Sequence, residues 1–191
     1  MKDVSPNSSQ LKEELKHENY RENYQHIFTD TLARLAIIAA SAVLIAMLWM
    51  PVLEIYGSSM QPVLQQGDIV VCLKTERIKR GDLIAFYFGN KLLVKRCVAL
   101  PGEVIKMDEE GTVYINGSEL SEPYLDEKAL GHNEIDYPYI VPQESYFLLG
   151  DNRVTSEDSR TEAIGSVGQD QLVGKVLFCV WPLKRFGKIG D

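Results

Sequence analysis

Apolar and polar positions change rhythm twice along this chain. The first 34 residues are polar, and NSSQLKEELKHENYRENYQ within them reads as a short helix or a solvated tail. LAIIAASAVLIAMLWMPVL, Leu35 to Leu53, then runs for 19 residues without a charge. As a helix it measures about 28 Å, close to the hydrocarbon thickness of a bilayer. Pro51 falls near its end, where a break costs little, and Trp49 suits a membrane interface. A cleavable secretory signal is the competing reading, with Gly57 and Ser59 as small residues around a cut. The run is longer than a usual signal core, however, and no short basic leader precedes it, so a retained anchor is expected.

After the apolar run the period shortens to that of β-structure. GDIVVCLK, GDLIAFYF, KLLVKRCVAL, EVIKM, TVYI, SYFLLG and KVLFCVW are short apolar or alternating runs between turn signals. VYINGSEL places Asn116-Gly117 between alternating residues, a strong hairpin signal. The pattern predicts a polar tail over 1–30, a transmembrane anchor over 31–53, and over 54–191 one mainly β domain, barrel-like or built of two packed sheets.

Charge orients this arrangement. Arg21 and Arg34 precede the apolar run, and no basic residue follows it until Lys74. The N-terminus is therefore expected in the cytoplasm and residues 54–191 outside it. The net charge of −7 contains no large basic block, which argues against a nucleic-acid partner. Cys72, Cys97 and Cys179 all lie in apolar runs at spacings that match no metal pattern, so they read as packing residues, with a single disulfide the lesser reading.

Histidine is scarce. His17 and His26 precede the membrane run, leaving only His132, in the loop-like LGHNEIDYP, for the exterior domain. A His-rich metal site is thereby excluded, and a Ser-His-Asp triad would have to rely on His132, which reads as a surface residue. A serine can instead be activated by a neutral lysine. A free lysine titrates near 10.4, so holding it neutral costs roughly 4 kcal/mol, which burial can impose. Lys95 in LLVKRCVAL has apolar residues on both sides, and strand alternation points it away from the face of Arg96. An edge-strand gatekeeper is the bland alternative for such a lysine.

Taken together, four stretches resemble the type I signal peptidases, membrane-bound Ser-Lys endopeptidases. SMQPVL resembles the family's nucleophile motif, RGDLIAF its Arg-Gly-Asp strand, VKRCVALPGE the motif of its general-base lysine, and VPQESYFLLGDNRVTSEDSR its long Gly-Asp-Asn-Arg…Asp-Ser-Arg motif. Their order and spacing agree as well, over about residues 31–187. The resemblance implies an antiparallel β domain behind one anchor. It makes Ser59 the nucleophile, Lys95 the general base, and Ser156 the hydroxyl that orients the lysine amine. Asp151, Asp158 and Arg160 would brace the site through ion pairs, with Arg96 a further partner. Pure bracing and direct contact with the chemistry are both open for them, as is an ordinary turn role for Ser156.

Two positions depart from the family pattern. Gly57 stands where some members carry a serine that donates to the oxyanion, leaving the Ser59 N–H for that task, with a further main-chain donor or a water left open beside it. Val63 replaces the usual threonine after the proline. Ile55, Met60, Leu64, Leu93 and Val94 would line shallow pockets for an extended substrate, unless they are simply core. The resemblance further implies signal-peptide-bearing precursors as substrates, cut after small-x-small motifs, with no metal or cofactor. Five residues separate Leu53 from Ser59, which would keep the nucleophile near the membrane.

Two other classes stay in view. A self-cleaving repressor-type Ser-Lys protease would need a DNA-binding domain where this chain has its apolar run. A weakly active or non-catalytic assembly factor for surface or pilus proteins is kept alive by Gly57. The C-terminal VWPLKRFGKIGD, with Trp181 and Phe186 among Lys184, Arg185 and Lys188, is either an ordinary exposed terminus or a contact for membrane lipid.

Overall fold

The computed structural model describes residues 8–189, with side chains from residue 24 onward, so the first seven residues of the polar tail lie outside it. The chain divides into two compact units, 1–48 and 49–191. The first is a single helix, α1 (Ser8–Trp49), which includes most of the tail rather than starting at the apolar run. Its segment Tyr24–Trp49, 26 residues of hydropathy 2.2, is long and apolar enough to cross a membrane. Leu44, Met47 and Leu48 on it are exposed.

The apolar run expected to span to Leu53 is in fact two elements. Pro51 disfavours helical geometry at Met50, and the helix ends at Trp49. Val52–Glu54 forms strand β1, with Leu53 partly buried against the domain core. A helix end and a following strand share one apolar stretch because each buries or presents apolar surface for its own reason.

The second unit is mainly β and wholly antiparallel. After β1 come β2 (Ile69–Leu73), β3 (Leu83–Phe88), β4 (Lys91–Ala99), β5 (Val104–Met107), β6 (Val113–Ile115) and β7 (Ser118–Glu119). The remaining strands are β8 (Tyr139–Ile140), β9 (Ser145–Leu149), β10 (Val167–Gly168), β11 (Leu172–Trp181) and β12 (Gly187–Lys188). The larger sheet has the order β1-β2-β11-β3-β4-β9-β10, with β12 also on β11. The smaller is β7-β6-β5-β8. Ile115 pairs with Ser118 across Asn116 and Gly117, both at positive φ, as the expected two-residue hairpin requires.

Three apolar clusters fill the domain. One joins the segment 55–64 to β2, β3 and β11. A second packs β5 and β6 of the smaller sheet against Val98 and Ala99 of β4 and Phe147 and Leu149 of β9. The third, with Ile84, Phe86, Cys97 and Leu148, lies on the other face of β3, β4 and β9. Cys72, Cys97 and Cys179 are buried and free within these clusters, and burial pushes the Cys72 and Cys97 thiols up to about 12, where they are inert.

Strand β4 sets up the site. Its whole first part, Lys91 to Arg96, pairs with β3, whereas β9 joins it only from Arg96 onward. Lys91–Lys95 therefore has a strand neighbour on one side only. Phe147 holds the far end: fully buried in β9, it packs at a tilt on Tyr139 of β8, ring centroids 5.6 Å apart, and so ties the two sheets together. Phe147→Ala should cost about 3–5 kcal/mol of stability, read from the denaturant midpoint of the detergent-solubilised protein.

Candidate active site

The segment after β1 is a tight turn. Ile55 N–H donates to Asp68 C=O and Gly67 N–H to Ile55 C=O, both at 2.8 Å, extending the β1–β2 pairing. Gly57 follows at φ +85°, a conformation costly for any residue with a side chain. Gln61 N–H then donates to Ser58 C=O and Leu64 N–H to Met60 C=O. Met60 and Leu64 bury their side chains beneath the turn, leaving Ser58 exposed and Ser59 half-buried.

Ser59 Oγ and Lys95 Nζ lie 2.7 Å apart. Lys95 is only 3% exposed, which does not fit a gatekeeper on an open edge. Burial pulls its amine down to about 8, and Arg160 acts in the same direction. Asp158, Glu157 and Asp151 push the other way without overcoming burial.

On the opposite face of β4, Arg96 is also buried. Its Nε and Nη2 donate to the two oxygens of Asp151 at 2.7 and 2.6 Å, a bidentate pair, and its Nη1 donates to Gly81 C=O at 2.8 Å. Burial pushes the Asp151 carboxyl up while Arg96 pulls it down. Asp158 pairs with Arg160 through two 2.8 Å bonds and accepts the Gly150 N–H at 2.9 Å. Arg160 also donates to Leu130 C=O at 2.5 Å.

These pairs hold the segment 150–152 against the serine. Asn152 N–H donates to the Ser59 C=O at 3.0 Å. A Cβ at Gly150 would stand 2.7 Å from that same carbonyl oxygen and collide with the Ser156 hydroxyl, so only glycine fits there. Ser156 is buried beside Gly150, but its Oγ has no hydrogen-bond partner among the described residues, Lys95 included. The orienting bond to the lysine amine is thus not formed in this structure.

A cleft of about 370 Å³ opens beside Ser59 between β1 and the half-free part of β4. Ile55, Gly57, Met60, Leu93 and Val94 line it together with Ser59 and Lys95. Leu64, expected among the lining residues, does not reach the cleft: it is fully buried in the core below Met60. His132 is exposed and contacts Glu134, consistent with a loop residue outside the site.

Sequence reasoning missed four participants. Asn152 acts through its main chain, which leaves no trace in residue type. Arg153 lies inside a recognised motif but went unassigned; its Nη2 reaches Glu122 at 2.5 Å and its Nε donates to Gly150 C=O at 3.0 Å. Glu122 and Tyr124 sit in a polar loop, and their only signal is an acid and an aromatic flanking Pro123.

Comparison with known proteins agrees with the motifs. The family model described as signal peptidase, peptidase S26, matches residues 28–181. Signal peptidase IB of Staphylococcus aureus (strain COL) is 35% identical over 153 residues, covering 69% of this chain and 78% of that protein. Signal peptidase I of Bacillus licheniformis is 35% identical over 145 residues, covering 69% and 77%. A solved signal peptidase I from Enterococcus faecalis, 34% identical, covers 52% of this chain and 96% of its own, with a TM-score of 0.43. With a match running from within α1 to the end of β11, the chain belongs to the signal peptidase family of proteases.

Proposed function

We propose that this chain is a membrane-anchored Ser-Lys endopeptidase that removes signal peptides from exported precursors. The observation that carries the reading is the 2.7 Å contact between Ser59 Oγ and a buried Lys95 Nζ. Neutral Lys95 takes the Ser59 proton as Oγ attacks the scissile carbonyl. The oxyanion is met by the Ser59 N–H, since Gly57 has no side chain to offer. When the C–N bond breaks, protonated Lys95 gives its proton to the leaving amine. Lys95 then deprotonates the water that hydrolyses the acyl-enzyme, releasing the acid and restoring Ser59. Ser156, a buried hydroxyl beside Gly150, is the group we assign to orient the amine, through a bond made once the lysine turns toward it. Asp151, Asp158 and Arg160 act by position.

The substrate lies in the cleft as an extended strand between β1 and the half-free edge of β4, gaining main-chain hydrogen bonds from both. Ile55, Met60, Leu93 and Val94 leave room for alanine-sized side chains one and three places before the cut, the small-x-small preference. Tyr24–Trp49 anchors the chain, with its N-terminus cytoplasmic and the β domain outside. Exposed Trp181, Leu183 and Phe186, with the exposed Lys184 among them, suit lipid headgroups, while Arg185 is held by Val63 C=O and Asp68.

Ser59→Ala and Lys95→Ala should each reduce cleavage of a purified precursor in detergent to background, and Lys95→Arg should do the same because its side chain cannot shed a proton. Activity surviving in any of the three, or lost to a chelator in the native protein, would refute the dyad. The base must be neutral, so below pH about 8 kcat/KM should fall about tenfold per pH unit and level off above it; a profile flat from pH 6 to about 9 is incompatible with this base. Ile55→Ala should enlarge the pocket and raise cleavage after valine relative to alanine by about tenfold, measured with paired precursors differing at that residue.

A further inference from the structure

Strands β4 and β9 are braced by a turn that none of the four motifs includes. Glu122 and Tyr124 follow β7, the edge of the smaller sheet, and both reach back to the arginines beside the active site. The Tyr124 ring lies under the Arg96 guanidinium, 3.9 Å from its centre. The Tyr124 hydroxyl donates to Glu122 Oε1 at 2.6 Å, and the same oxygen takes the 2.5 Å bond from Arg153 Nη2. The Glu122 carboxylate is fully buried and Arg153 is 1% exposed.

From there the path to the nucleophile is short. Arg96 fixes the Asp151 carboxylate, and Arg153 Nε fixes the Gly150 carbonyl. Between them these bonds set the plane of the chain at 150–152, whose Asn152 N–H holds the Ser59 carbonyl. Arg96 spends three of its five N–H donors on Asp151 and Gly81 at its edges, and Tyr124 covers its flat face, holding it in the direction those bonds leave open.

We propose that Tyr124, supported by Glu122, is a positioning residue for the Ser59 nucleophile, acting through Arg96, Asp151 and Asn152 rather than by touching substrate. The inference rests on the reading of Ser59 as nucleophile. It gives the smaller sheet a task in the reaction: it delivers the turn that keeps the serine's main chain in register with Lys95. Because Tyr124 does not line the cleft, its loss should spare substrate binding and slow the chemical step.

Kinetics on the full chain in detergent, with a defined precursor, test this. Tyr124→Leu and Tyr124→Met each remove the ring while refilling most of its volume with side chains of different shape. Either folded variant should lose about ten- to a hundredfold in kcat with KM within about twofold, as expected for a displaced nucleophile. Tyr124→Phe keeps the ring over Arg96 and should restore kcat to within about threefold of the native chain. A thermal melt of each variant separates position from stability. Lowered melting with native kcat in the folded Leu or Met protein overturns the proposal, as does a Phe variant as slow as the Leu variant. Ser59→Ala, run alongside, tells the two readings apart. If it stays active, the nucleophile assignment falls and this inference with it; if it is dead while Tyr124→Leu keeps native kcat, only the inference falls.

Discussion

Lys95, 2.7 Å from the Ser59 hydroxyl, can serve as the proposed base only while its amine carries no proton, and burial, which pulls the amine down to about 8, brings that neutral form within reach. The surroundings make this harder than it looks, because Asp158, Glu157 and Asp151 all favour the charged amine. Two of these acids are themselves paired, Asp158 with Arg160 and Asp151 with Arg96. Arg160 opposes at Lys95 the effect of the Asp158 that it pairs with. The Asp158–Arg160 pair therefore does more than tie loops together: it limits how far Asp158 works against desolvation at Lys95. A carboxylate freed of its arginine would return the lysine toward its ordinary charged form.

The same strand explains why Lys95, the proposed base, stands at the edge of a groove. β4 has one neighbour up to Lys95 and two from Arg96 onward. Lys95 is at the last position before β9 arrives, so it is buried by the turn 57–64 on one side and still reachable from the open edge. Arg96, the next residue, points to the other face and takes the brace from Asp151. Two adjacent residues with opposite directions thus separate the chemistry from the scaffold, an ordinary consequence of the two-residue period of a strand.

That period is also why much of the molecule was legible beforehand. Six of the seven runs read as strands contain one and the seventh, KVLFCVW, lies within β11; the Asn116-Gly117 turn closes its hairpin, and an apolar setting singled out Lys95. What escaped has physical reasons. β8, β10 and β12 are two residues each, too short to show alternation. The helix end was misplaced because Val52 and Leu53 are apolar for the sheet's sake, in direct continuation of a run that is apolar for another reason. Leu64 could not be told from a pocket residue, since a core wall and a cleft wall are made of the same side chains. Glu122 and Tyr124 act on partners far along the chain, and nothing local marks a tyrosine that stacks on an arginine.

Gly57 shows how a missing group can follow from a backbone requirement. Nothing lies within 4 Å of the position a Cβ would take there, so space does not exclude a side chain. Its φ of +85° does, since a residue with a Cβ in that region is strained. The turn that presents Ser59 to Lys95 in this chain is thus built on a conformation suited to glycine, and a hydroxyl donor at 57 would have to be accommodated by turning the chain elsewhere. In the proposed reaction, oxyanion stabilisation then falls to the main chain, whose N–H groups are only as well aimed as the peptide that carries them. In such a site the hydrogen bond from Asn152 to the Ser59 carbonyl gains weight, because it holds the peptide that follows directly on the serine's N–H.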